Sequence, residues 1–308
     1  MSIQRLHITN GSSLTDYLRE LDFTDDILTW REMLCEGPTV PFIDSEKFYE
    51  TRKSFLNATY DIDTSNYDLA ESIAVLDQKK YDEINLWFEY DLFCHINLIA
   101  VISLLHQKEI DTPLYLICSG RVEGEKSLKG LPELNPEQLL QHYMEKVLLD
   151  KDDKELAVAL WRTYCGKDHN ILKPYIIKNS NFKYLTNCLK AHLKRFPNQK
   201  NGLDSIEENI LEIIKDKDIK SVHHLLGYCL NYQGFYGYGD TQFKRIIDKL
   251  SIFYDVGIDK VTLNRKGHEA LIGEHNYAKE IKNEIAYGGL SRLNFQFSTP
   301  ENKLIKTV

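Results

Sequence analysis

Glu89 and Asp91 stand two apart in Leu86-Trp87-Phe88-Glu89-Tyr90-Asp91-Leu92, a run that reads as a strand end passing into a helix. Residues two apart on a persisting strand project to one side, so these carboxylates could divide acid and base roles or hold Mg²⁺ with few other protein ligands. For Asp91, capping the following helix is the plainer role. His7 is the third candidate catalytic group, placed two residues before the end of its strand. It could act as a general base, although a strand histidine more commonly serves as hydrogen-bonded structure. Asn10-Gly11-Ser12-Ser13 could present backbone N–H groups at a helix start to a phosphate or carboxylate. It matches neither a dinucleotide fingerprint nor a Walker loop, and a serine-capped turn is the simpler reading. Arg31 sits between Trp30 and the Cys35-Glu36-Gly37-Pro38 turn. It suits a two-pronged contact with an anion, or an ion pair with Glu89 or Glu36. Trp30 and Trp87 offer ring faces to a planar ligand, core packing being their default. Asn10, Gly11, Ser12, Ser13, Trp30, Arg31, Glu36 and Ser119 thus form the expected ligand-binding set, with Glu89, Asp91 and His7 as the catalytic candidates.

Cysteine and histidine spacing points away from metal and disulfide chemistry. Cys35, Cys94, Cys118, Cys165, Cys188 and Cys229 form no C-x-x-C pair, and His223-His224 diverge on a helix. The expectation is no metal site and six reduced, mostly buried thiols in a reducing compartment. Cys94 and Cys118 have no base at a fixed spacing that would make either a nucleophile.

These residues need elements to hold them. Leu6 to Thr9 reads as a strand, followed by a glycine turn and a capped helix over Leu14–Leu21. Asp25–Trp30 is a second strand, and 44–68 is a polar, aromatic, partly helical insertion followed by a helix over Leu69–Leu76. Ile84–Glu89 is a strong strand, Leu92–Gln107 an apolar helix, and Pro113–Cys118 a buried strand stopped by Ser119-Gly120. The repeated strand–helix–strand rhythm predicts an α/β domain with a mostly parallel sheet over residues 1–125. Ligands bind such sheets outside the carboxyl ends of the strands, where all the candidate turns fall. Residues 126–200 read as a helical segment opened by the Asn135 cap and Pro136 at the first helical position. Residues 201–308 read as three helices and a hairpin, a winged-helix-like domain.

The chain of 308 residues has 43% hydrophobic and 27% charged residues, enough apolar surface to bury a core. It has no apolar run of membrane-spanning length, and Met1-Ser2-Ile3-Gln4-Arg5 contains no signal-peptide core. A soluble, cytoplasmic protein without a membrane partner is expected. The net charge of −8 argues against a bulk polyanion binder. Lys244, Arg245 and Lys249 on the third helix could still contact nucleic acid, which makes a regulatory, nucleic-acid-associated role the alternative to a small anionic ligand. Neither the cofactor, nor the occurrence of a reaction, nor the oligomeric state is legible in the sequence.

Three stretches carry a family resemblance. His7-Ile8-Thr9-Asn10-Gly11-Ser12, Trp30-Arg31-Glu32-Met33-Leu34-Cys35-Glu36-Gly37-Pro38 and Leu86-Trp87-Phe88-Glu89-Tyr90-Asp91-Leu92 resemble the signature of bacterial proteins carrying domain of unknown function 1835. Phe196-Pro197 to Asn201-Gly202-Leu203 and Gly239-Asp240 are similar to the region C-terminal to that domain in such proteins. The chain departs from the pattern at Cys94-His95, where members often have Asp-Gln, and at Ser12, where an aspartate often follows the glycine. The resemblance implies a shared fold and no particular reaction.

Overall fold

The computed structural model describes residues 3–65 and 67–307; Met1 and Ser2 of the N-terminus, Asn66 of the 44–68 insertion and Val308 lie outside the described residues. Strand β1 (Arg5–Asn10) turns at Gly11 into helix α1 (Ser12–Glu20) and continues to β2 (Asp26–Trp30) and the two-residue β3 (Gly37–Pro38). Helices α2 (Glu46–Tyr60), α3 (Leu69–Ile73) and α4 (Val75–Gln78) form the insertion and its sequel. Then come β4 (Glu83–Phe88), α5 (Leu92–Gln107), β5 (Leu114–Cys118), α6 (Pro136–Met144) and β6 (Val147–Leu148). The main sheet has the order β2-β1-β4-β5-β6, its first four strands parallel and β6 an antiparallel edge. The chain leaves β1 toward β2 on one side and returns on the other side at β4. The switch point of the sheet therefore lies between the carboxyl ends of β1 and β4, where Asn10-Gly11 meets Glu89-Tyr90-Asp91.

Side-chain alternation covers both faces of the sheet. Leu6 and Ile8 of β1 and Ile84, Leu86 and Phe88 of β4 face the larger core under α5. Trp87 and Ile117 face a smaller core with Leu14 and Leu18 of α1. Helix α5 is buried around nearly its whole circumference, so it lacks an amphipathic stripe and sits at the centre of the molecule.

Beyond the sheet, α7 (Lys151–Tyr164) and α9 (Leu185–Leu193) pack on α5, with the single-turn α8 (Lys173–Ile176) between them in sequence. Next come α10 (Ser205–Asp216), α11 (Val222–Asn231), α12 (Asp240–Lys249) and the hairpin β7 (Tyr254–Val256)–β8 (Val261–Leu263). Helices α13 (Arg265–Ile272) and α14 (Ala278–Ile281) precede short strands β9 (Ala286–Gly288), β10 (Leu290–Ser291), β11 (Phe295–Ser298) and β12 (Lys303–Lys306). The expected segments 1–125, 126–200 and 201–308 share one apolar core that runs from Leu6 to Leu304. The expected strand-free middle segment contains β6, and the tail contains four strands the sequence does not announce. Each is two to four residues long, too short for a period to register. β9 owes its pairing to β3, some 250 positions earlier, where Gly37 lies opposite Tyr287. Among the described residues no helix is long and apolar enough to cross a membrane.

The segment 32–38 is the hub of this packing. Arg52 of α2 is fully buried and donates to the Glu32 carboxylate at 3.0 Å and to the carbonyls of Met33, Glu36 and Pro38. Asn97 of α5 accepts from Leu34 N–H and donates to Glu32 O. Tyr164 of α7 donates to the carbonyls of Leu34 and Cys35, and Arg195 to that of Cys35. Arg245 of α12 pairs with Glu36 at 2.8 Å. All three sequence segments therefore hold the loop that follows Arg31.

Candidate functional site

Gly11 begins the site. Its φ of 97° lies in the region only glycine enters readily, and this lets β1 turn directly into α1. Glycine supplies no capping side chain, α1 has no acidic residue in its first turn, and Ser12 and Ser13 are exposed. The N–H groups of that turn have no intrahelical acceptor, so α1 presents donors and the positive end of its dipole to solvent. Arg31 follows the end of β2 beside it, with 58% of its side chain exposed. Its guanidinium lies 3.3 Å from Ser12 Oγ and 3.5 Å from the Asp68 carboxylate, a looser arrangement than the expected pairing with Glu89 or Glu36. Between them opens a cleft of about 590 Å³ at the carboxyl edge of β1 and β2. Trp30, Leu56, Ile62, Tyr67 and Phe93 give it apolar and aromatic walls, and Gly237 and Gln242 approach from the C-terminal part. Trp30 is buried at its base, and its indole N–H has no partner among the described residues. Concavities of similar size lie elsewhere, at the amino end of β4 and along α5 and α7, away from the switch point.

Behind this cleft the carboxylates of Glu89 and Asp91 and the thiol of Cys94 come within 4.8 Å of one another. Asp91 caps α5 as expected, accepting from Cys94 N–H at 2.8 Å. Burial raises the Asp91 carboxyl to about 6 against the pull of its N–H donors. Burial first, and the Asp91 charge second, push Glu89 up to about 8. Burial and the same two carboxylates hold the Cys94 thiol well above its usual range. Asn10 bridges cleft and cluster, since it lines the former and its amide donates to Cys94 Sγ at 3.0 Å. The sequence expectation of no metal site rested on Cys and His spacing, which a mixed carboxylate–thiol set does not display, although Glu89 and Asp91 already stood as possible holders of Mg²⁺. Cys94 and Gly237 are the residues that reasoning missed. The i, i+3 relation of Asp91 to Cys94 across a helix start was the available signal.

Several expected site residues are placed elsewhere. His7 points to the α1 face, away from the carboxyl edge, and is buried among Phe23, Trp87 and Tyr143. Its Nδ1 accepts from Trp87 Nε1 at 3.0 Å, and burial lowers its pKa despite Asp25 at 3.6 Å. This is a structural histidine, and Trp87 is core. Glu36 is withdrawn into the interior by Arg245 and Tyr60. Ser119 is buried just past the end of β5, and its hydroxyl has no partner among the described residues. Arg245 faces inward to Glu36 and Asn283, and Lys244 is tied to Asp240 at 2.7 Å, so of these three only Lys249 has no ion-pair partner among the described residues. His95 donates its Nδ1–H to the Asp91 carbonyl, 2.9 Å away, and takes no part in the cleft. All six cysteines are free.

The fold and site define a mixed α/β protein with a mostly parallel sheet and a cleft beside its switch point. No family model matches the chain, and none of the curated proteins matches it.

Proposed function

We propose that the protein binds a small anionic ligand, a nucleotide or phosphorylated metabolite, in the cleft at the carboxyl edge of β1 and β2. One observation carries this reading: the uncapped first turn of α1 and the exposed Arg31 converge on the mouth of one apolar-walled cleft. An anion there would receive helix N–H groups and a guanidinium fork together, while a base or other planar part packs on Tyr67 and Phe93.

Ser12→Asp tests the reading without damaging the fold. An acid in the first turn complements the helix dipole, so folding stability should hold or rise by about 0.5 kcal/mol. The same charge repels an anionic ligand, and affinity should drop roughly tenfold, equivalent to ~1.4 kcal/mol. Arg31→Ala should weaken binding comparably. Calorimetry against a nucleotide and sugar-phosphate panel checks both, and unchanged affinities in both variants would sink the proposal.

The order α10–α11–α12–hairpin supports a second reading, the winged-helix-like domain expected over 201–308. We rank it below the first because α12 would be its reading helix and Arg245 is committed to Glu36. Fluorescence anisotropy with duplex DNA at low salt should show no binding sensitive to Lys244→Glu or Lys249→Glu. Salt-dependent binding lost in those variants would reverse the ranking.

A further inference from the structure

We propose that Glu89, Asp91 and Cys94 form a site for one divalent cation of borderline softness, of the zinc or ferrous class, at the switch point of the sheet. Their ligand atoms all lie within 4.8 Å of one another, and Asp91 and Cys94 are buried. Among the described residues no Lys, Arg or His stands within salt-bridge distance of Glu89 or Asp91, and Asp91 accepts from the Cys94 N–H instead. Carboxylates packed together in a buried site without a cation are unfavourable, and a bound metal removes that penalty.

The surroundings of the sulfur point the same way. The Leu34 N–H can only donate, and at 3.2 Å it fixes Asn97 Oδ1 as an acceptor. Asn97 Nδ2 must then donate to Glu32 O and to Asn10 Oδ1, at 2.7 and 2.8 Å. That leaves Asn10 Nδ2 as a donor to Cys94 Sγ at 3.0 Å. A relay anchored in the loop backbone thus aims an N–H at the sulfur, the outer-shell pattern of a ligating thiolate. Ser119 provides an independent sign. Phe88 and Cys118 are the last paired residues of β4 and β5, so Ser119 and Glu89 are the residues that directly follow at the carboxyl ends of two neighbouring strands. Its hydroxyl is buried and has no partner among the described residues. The space is also built: a Cβ on Gly130 would stand 2.7 Å from Glu89 Oε2, and one on Gly237 would stand 2.1 Å from Asp91 Cγ.

One thiolate with two carboxylates selects a zinc-like ion over Mg²⁺ or Ca²⁺, and three protein ligands leave a coordination position for water or substrate. Asn10 and Gly237 belong to the cleft wall as well, so cation and anion sites would be neighbours. The cation site does not rest on the anion reading, and Ser12→Asp should leave it intact.

Co²⁺ titrated into the chelator-stripped full chain under reducing conditions is the test. One equivalent should bind with a near-ultraviolet thiolate-to-cobalt charge-transfer band, which Zn²⁺ bleaches and Mg²⁺ does not. Cys94→Ser should abolish the band, Cys118→Ser should keep it, and Glu89→Gln should weaken Co²⁺ binding roughly tenfold or more. The wild-type arm decides even where a variant fails to fold: no band at stoichiometric Co²⁺ overturns the site. So does a band that survives Cys94→Ser, or an unchanged Co²⁺ affinity in Glu89→Gln.

Discussion

Replacing Arg52 by alanine is expected to lower the unfolding free energy by about 3–5 kcal/mol, the cost of stripping one partner from a buried ion pair. Arg52 is wholly buried, stacks over the Phe55 ring at 4.9 Å and supplies four hydrogen bonds to the 32–38 segment. Without it the Glu32 carboxylate keeps, among the described residues, only the Tyr67 hydroxyl as a side-chain donor. Three carbonyls also lose a donor, that of Glu36 in the buried interior and those of Met33 and Pro38 half-buried. Lysine should rescue little, because an ammonium cannot span four acceptors arranged around a planar fork. The exposed Lys151–Glu155 pair, 3.7 Å apart on α7, is the control, and Lys151→Ala should stay within about 0.5 kcal/mol of wild type. Denaturant titration of the three variants reads the contrast. An Arg52→Ala loss no larger than that of Lys151→Ala would mean the loop is not held as described. Because the segment continues directly from Arg31, the loss should also reach the cleft.

The residues around this loop show which structural features sequence patterns carry and which they do not. The parallel sheet was legible because buried strands are written locally, as in Ile84–Phe88 and Leu114–Cys118, and each ends in polar or small residues. The same logic located the carboxyl edge, and Asn10, Gly11, Ser12, Trp30 and Arg31 do line the cleft there. Glu36 and Arg245 were misplaced for one reason: each reads as a surface charge until its partner, 209 positions away, is known. Long-range pairing leaves no local period, and the same gap hid β3–β9. His7 differs, since only the two-residue periodicity of β1, carried through to Trp87, decides which face it takes. The Glu89–Asp91–Cys94 group was half visible. Its two carboxylates are a spacing signal, whereas the cysteine needs the turn from β4 into α5 to reach them.

The second large effect is acid sensitivity centred on His169 and His192. Arg195 is a donor only, and its guanidinium lies 2.6 Å from His192 Nδ1, so that nitrogen is unprotonated. His192 Nε2–H then donates to His169 Nδ1 at 2.8 Å, and His169 Nε2–H to the Tyr164 carbonyl at 2.8 Å. Both rings are neutral with fixed tautomers, and a proton added to either would set two donors face to face. Burial is the main cause that pushes His169 down to about 4; for His192, burial and then the Arg195 charge push it well below its usual value. In the unfolded chain both titrate near 6.5, so below that pH the unfolded state takes up protons the folded state refuses. Their contribution is therefore complete above pH ~6.5 and is lost as pH falls toward 4, at up to about 1.4 kcal/mol per pH unit for each histidine. Asp204 works in the opposite direction: burial and the Glu207 charge raise it to about 7, so it holds a proton in the folded state over the same range. The histidine part is isolated by comparing wild type with His169→Gln, whose amide can accept and donate in the same two directions. Urea unfolding at half-unit steps from pH 7 to 4.5 should give the variant a slope shallower by up to about 1.4 kcal/mol per unit below pH ~6.5, and equal slopes there would remove the relay from the account. Tyr164, whose carbonyl ends the relay, donates its hydroxyl to Leu34 and Cys35. Protonation should thus loosen the hub loop first, and ligand-induced stabilisation at the cleft should fade at a higher pH than global unfolding.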